Sequence, residues 1–200
     1  CRSGAVVSYS QERIGLAPRC GFRPAHAVGA DGFLRRSVCG EGGQQLIAAL
    51  KEGGVALVSL SHIPTNSGLI QPVSKVGALA QQYKTLFLLD ACQSVGQCPL
   101  DVKEIQCDFL TATGRKYLRG PRGTGFLYVN KKHFSWLNPF TLDLYSANLT
   151  SKDTYEVRKD ARMFESWESS PALRLGLGMA CEYAQKKDLF KTFERIQKLA

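Results

Sequence analysis

Two apolar runs end in side chains that can do chemistry. Leu88-Leu89 gives way to Asp90-Ala91-Cys92-Gln93, and Thr111-Ala112-Thr113 to Gly114-Arg115-Lys116. A lysine amine that sheds its proton attacks an aldehyde carbon. A carboxylate beside it can keep a ring nitrogen protonated, so that the ring withdraws electrons from a bonded substrate. Each residue also has an ordinary reading. Asp90 suits the N-cap of a helix that follows a strand, and Lys116 suits a solvated surface.

The elements around the pair decide where it would sit. Val55–Leu60, Thr85–Leu89 and Asp108–Thr113 are short continuous apolar runs that read as buried strands. Pro72 opens a helix over Val73–Tyr83, with Val76, Leu79 and Ala80 on one face. A glycine-bearing turn, Gly120–Gly125, leads into a fourth strand, Phe126–Val129. That turn is too short for a parallel crossover, so the fourth strand is expected antiparallel. The order predicts an α/β fold, a mostly parallel sheet with flanking helices. Ligands of such sheets lie at the carboxyl ends of the strands, which is where Asp90 and Thr113 fall.

Three stretches carry a family resemblance. They are Ser61-His62-Ile63-Pro64-Thr65-Asn66-Ser67-Gly68, Leu89-Asp90-Ala91-Cys92-Gln93-Ser94-Val95-Gly96, and Thr113-Gly114-Arg115-Lys116 running on to Gly125. In order and separation they resemble the class V aminotransferase family of pyridoxal phosphate (PLP) enzymes. That family includes cysteine desulfurases, isopenicillin-N-epimerase-like proteins and hercynylcysteine sulfoxide lyases. The epimerase-like and sulfoxide-lyase branch fits best, because desulfurases usually carry histidine where this chain has Arg115.

The resemblance implies roles residue by residue. Lys116 would be the catalytic Schiff-base lysine. Asp90 would pair with the pyridine nitrogen and Gln93 with the phenolic oxygen. Thr113 and Arg115 would hold the phosphate. His62, Thr65 and Asn66 follow the first strand and are the candidates for substrate contact, with Thr65 in the slot of a desulfurase asparagine. Arg162-Met163-Phe164-Glu165 is similar to a stretch that approaches the partner subunit's cofactor. The expected fold is part of the PLP-transferase large domain, and the expected activity is carbon–sulfur lysis on an amino-acid substrate. Epimerase or aminotransferase chemistry remains the alternative, as does a non-catalytic remnant serving as a binding or dimerisation module. The full-length protein would be a homodimer.

Bulk properties bound the rest. Twenty-six basic and 17 acidic residues give a formal charge of +9, spread as +3 over residues 1–50 and +6 over 51–200. A diffuse excess reads as a solvated basic surface, and no nucleic-acid partner is expected. No apolar run approaches the roughly 20 residues of a membrane span. Seven cysteines form no C-x-x-C pair and show no metal-ligand spacing. With no signal peptide seen, reduced thiols in the cytoplasm are expected, an organelle remaining open. Cys92 and Cys107, in apolar segments, read as small core residues.

Three regions follow. Residues 1–50 hold eight of the 19 glycines and little apolar periodicity before Leu46-Ile47-Ala48-Ala49-Leu50, and read as flexible or aberrant. Residues 51–170 would form the partial PLP-binding domain. Pro171 then starts a helical stretch whose apolar positions Leu177, Ala180, Ala184, Leu189, Phe193 and Ile196 step by three, four and five residues. Residues 171–200 would lead into a smaller, truncated second domain. The chain reads as a piece of a longer protein.

Overall fold

The computed structural model describes residues 41–200. Helix α1 (Glu41–Glu52) precedes strand β1 (Leu57–Ser61), helix α2 (Val73–Gln82) and strand β2 (Leu86–Asp90). Then come a single turn of helix, α3 (Val102–Ile105), and strands β3 (Phe109–Thr113) and β4 (Gly125–Val129). The four strands form one sheet in the order β1-β2-β3-β4. The first three are parallel and β4 is antiparallel to β3, the arrangement that the short 114–124 connection dictates.

Alternation along the strands separates two faces. Val58, Leu60, Phe87, Leu89, Leu110 and Ala112 point into a core completed by α1 and α2. Phe87 and Leu89 are wholly buried, and burial of each such side chain contributes roughly 1.5–3 kcal/mol. The other face carries Ser61, Asp90, Thr111 and Thr113, all half-buried. Register places Ser61 opposite Asp90 and Asp90 opposite Thr111. The polar residues thus line up across three strands at the carboxyl edge.

Helix α2 buries Val73, Val76, Gly77 and Ala80, a spacing of three, four and seven that keeps one stripe inward. Its Pro72 lies at the N-cap instead of inside the first turn, and the Pro72 carbonyl accepts from the Lys75 and Val76 amides. Helix α1 was not anticipated over its full length. It crosses the boundary drawn at residue 50, and Leu46, Ala49 and Leu50 are buried. The reading of residues 1–40 lies outside the described residues.

Beyond β4, the segment 131–170 is more ordered than its mixed composition suggests. It contains a hairpin of β5 (Ala147–Leu149) and β6 (Tyr155–Val157), and 3-10 turns at Lys131–His133 and Ala161–Phe164. The expected final helix is two, α4 (Pro171–Gln185) and α5 (Leu189–Leu199). The hydroxyl of Ser170 caps the first and the carboxylate of Asp188 caps the second. Among the described residues, no helix is long and apolar enough to cross a membrane.

Candidate functional site

Asp90 ends β2 with both carboxylate oxygens engaged. Oδ1 accepts the Cys92 amide at 2.9 Å, and Oδ2 accepts the Ser61 hydroxyl at 3.2 Å. The first contact is local, because the chain turns directly after the strand. The second crosses to the neighbouring strand, where the register partner happens to be a serine. Neither Ser61 nor Cys92 was anticipated as part of the site.

Cys92 links the two reactive residues. Burial, the Asp90 charge and a hydrogen bond to that carboxylate push its thiol up to about 11, while the Thr113 backbone and the Lys116 ammonium pull the other way. The charges of both Asp90 and Lys116 are thus felt at one sulfur. Expected as core, Cys92 is instead a partly exposed residue of the site, whereas Cys107 is in the core as expected. The sequence signal was available: it stands two residues after Asp90.

The loops bearing Asp90 and Lys116 meet because a glycine lets them. Gly96 has φ +91°, and a Cβ there would lie 2.6 Å from the backbone of Tyr117 and Leu118. No other residue type fits both the dihedral and the approach. Lys116 itself starts a turn in which the Arg119 amide donates to its carbonyl at 2.9 Å. The turn is held from beneath. The Gly114 amide donates to the Thr124 carbonyl and the Gly120 amide to the Gly114 carbonyl. A Cβ on Gly114 would lie 2.3 Å from Thr124 Oγ1 and 2.8 Å from Leu177 Cδ1, so α4 packs directly on the lysine turn.

The remaining candidates divide. Gln93 donates its amide to Thr65 Oγ1 at 2.7 Å, which ties the loop after β1 to the loop after β2. Thr113 Oγ1 is 3.4 Å from the Thr124 carbonyl, at the carboxyl end of β3. Arg115 is exposed and Lys116 half-buried, and neither makes an ion pair among the described residues. Asn66 is exposed and stands apart. His62 is buried and joins the row only through its amide, which donates to the Asp90 carbonyl. Its ring belongs to a different place. The residue lines a cavity of about 320 Å³ with Pro72, Asp101 and Glu104, its Nδ1 has no partner among the described residues, and burial holds its pKa down. Arg162 pairs with Asp160, two residues away, and Met163 is buried.

An unpaired amine, a clamped carboxylate and a nearby hydroxyl at one sheet edge can bind a small molecule that presents a carbonyl carbon and a basic ring nitrogen. Among the described residues no cluster of His, Cys, Asp and Glu could hold a metal ion.

Comparison with known proteins bears on the family of the chain. The family model described as "Aminotransferase class-V" matches residues 40–200. A probable cysteine desulfurase of Pyrococcus abyssi is 30% identical over 160 residues, which is 80% of this chain and 40% of the relative. The apo cysteine desulfurase of Thermococcus onnurineus superposes with a TM-score of 0.66 at 27% identity, covering 72% of this chain and 36% of that one. The cystine C–S lyase C-DES, solved with its product cysteine persulfide, gives 0.66 at 25% identity, covering 74% and 42%. A lysine-to-alanine variant of that lyase, with glycine covalently linked to its PLP cofactor, also gives 0.66 at 25% identity, covering 74% and 41%. The chain spans about two fifths of the length of these relatives.

Proposed function

Since the chain belongs to the class-V aminotransferase family, we propose that its sheet edge holds pyridoxal phosphate between Lys116 and Asp90 and serves carbon–sulfur bond cleavage in a sulfur-bearing amino acid such as cysteine. One observation carries this reading: Asp90, clamped on both oxygens, and Lys116, which makes no ion pair among the described residues, are brought to one sheet edge by the close approach of Gly96 to the Tyr117 and Leu118 backbone. The relatives described above are desulfurases and a C–S lyase, which favours sulfur chemistry over epimerisation.

The residues present fit the cofactor. Lys116 Nζ would hold its aldehyde carbon covalently, and no carboxylate among the described residues competes for the amine. Asp90 would keep the proton on the ring nitrogen. Gln93, tied to Thr65, would serve the ring's oxygen, while Thr113 and Arg115 would offer a hydroxyl and a cation to the phosphate. Bound there, the cofactor supplies an electron sink for the bonds at the substrate's α-carbon. Lys116 Nζ, freed once the substrate's amine takes its place at the aldehyde carbon, would be the base that takes the α-proton. Thr65 and Asn66, on the open loop after β1, are the substrate contacts in this reading. His62 anchors the start of that loop to β2 through its amide.

Borohydride reduction of the chain incubated with pyridoxal phosphate, followed by peptide mapping, tests the assignment. A pyridoxyl group on Lys116, lost in Lys116→Ala, is the expected result. An adduct confined to other lysines, or none, overturns it. Absence of any adduct would favour a contact module instead, since α5 buries none of its residues and leaves Phe190 and Leu199 exposed.

A further inference from the structure

An aspartate at a strand end does not by itself present a fixed carboxylate. Rotation about its terminal torsion is broad and nearly two-fold, so neighbours must set the plane. The Cys92 amide fixes only Oδ1. The other oxygen would face the ring nitrogen in one rotamer and solvent in the next.

We propose that Ser61 is a positioning residue for the cofactor's ring nitrogen: from the last position of β1, its hydroxyl donates to Asp90 Oδ2 and holds the carboxylate plane in the site. This rests on the functional reading above. The placement follows from the register. Ser61 and Asp90 are paired Cα partners on parallel strands, so both side chains leave the same face of the sheet. The distance is 3.2 Å and the pair is partly buried, which makes water a poorer substitute donor than at an open surface. The two donors come from different elements, one from the strand beside Asp90 and one from the turn after it. Together they leave the carboxylate no free rotation.

The geometry also explains why serine suits this position. A longer polar side chain would overrun the register partner, and an apolar one would leave Oδ2 to solvent. Threonine keeps the hydroxyl and suits a strand.

The test uses 15N-labelled pyridoxal phosphate bound to the full chain, with the ring-nitrogen resonance followed against pH. In Ser61→Ala the Lys116 adduct still forms, but the ring nitrogen loses its proton at a pH lower by about half to one unit. Cofactor affinity falls by about three- to tenfold, the scale of one hydrogen bond. Ser61→Thr restores both. A serine with a merely structural role would lower thermal stability without moving the resonance. Adduct formation in Ser61→Ala with an unchanged nitrogen midpoint overturns the assignment of Ser61 alone. No adduct in the unmodified chain overturns the functional reading, and this one with it.

Discussion

Cys92 offers a way to probe the site without cofactor or turnover. Its thiol is held at about 11 by burial first and by the Asp90 charge second. At pH 8 only about a thousandth of it is thiolate, the reactive form. Alkylation by iodoacetamide, mapped by peptide, should therefore be slow at neutral pH and rise about tenfold per pH unit up to pH 11. Asp90→Asn removes the second cause and should speed alkylation of Cys92 several-fold at pH 8, leaving Cys181 unchanged. Equal rates in the two proteins would show that the carboxylate is not beside the sulfur. The residue scale also shows what sequence can and cannot reveal. Asp90 and Lys116 were conspicuous as candidates because a charged side chain at or just past the end of an apolar strand stands out. Ser61 was not, because a serine there is unremarkable until strand pairing sets it opposite Asp90.

At the scale of elements, Gly96 decides whether the two loops of the site meet. Gly96→Ala places a Cβ 2.6 Å from the Tyr117 and Leu118 backbone, at a φ of +91° that side chains rarely adopt. The expected cost is about 2–4 kcal/mol of stability, with cofactor uptake at Lys116 falling in parallel. Urea unfolding and adduct yield measure the two. Unimpaired uptake would mean that the loops do not depend on this approach. The glycine was visible in the sequence, but its dihedral was not, since that arises only when two distant turns pack. Other elements were legible in part. The apolar runs gave three strands to within two residues, and the short 114–124 turn gave the reversal of β4. The five-residue step from Ala184 to Leu189 was the trace of the break between α4 and α5. The β5–β6 hairpin escaped because its strands are three residues long and its turn is held by side chains, Thr150 and Ser151 with Thr154. Helix α1 was hidden by Gly42 and Gly43, which dilute the stripe that Leu46, Ala49 and Leu50 complete.

Over the whole molecule, ionisable groups on both sides of the sheet set a pH window. At the amino end of β3, Asp108 is nearly inaccessible. Burial opposes its charge, but Lys132 and His133, each 2.7 Å from Oδ1, and the Phe87 amide outweigh that and hold the carboxyl below its usual range. Folding then favours the ionised form. The contribution is full above the carboxyl's ordinary value and is lost as pH falls through the lower, folded one. The thiols work in the opposite sense. Burial leads the causes that push Cys92 and Cys107 up to about 11 from an ordinary 9.0. Below pH 9 both states bind these protons equally. Between about 9 and 11 the unfolded chain releases them first, so stability falls as pH rises. Urea midpoints should therefore drop at both extremes, below about pH 4 and above about pH 9. Cys107→Ala should flatten the alkaline limb and leave the acid limb in place, while Asp108→Asn should flatten the acid limb and, by removing a charge that raises Cys107, ease the alkaline one as well. An alkaline limb unchanged in Cys107→Ala would mean that this thiol is not held protonated in the core.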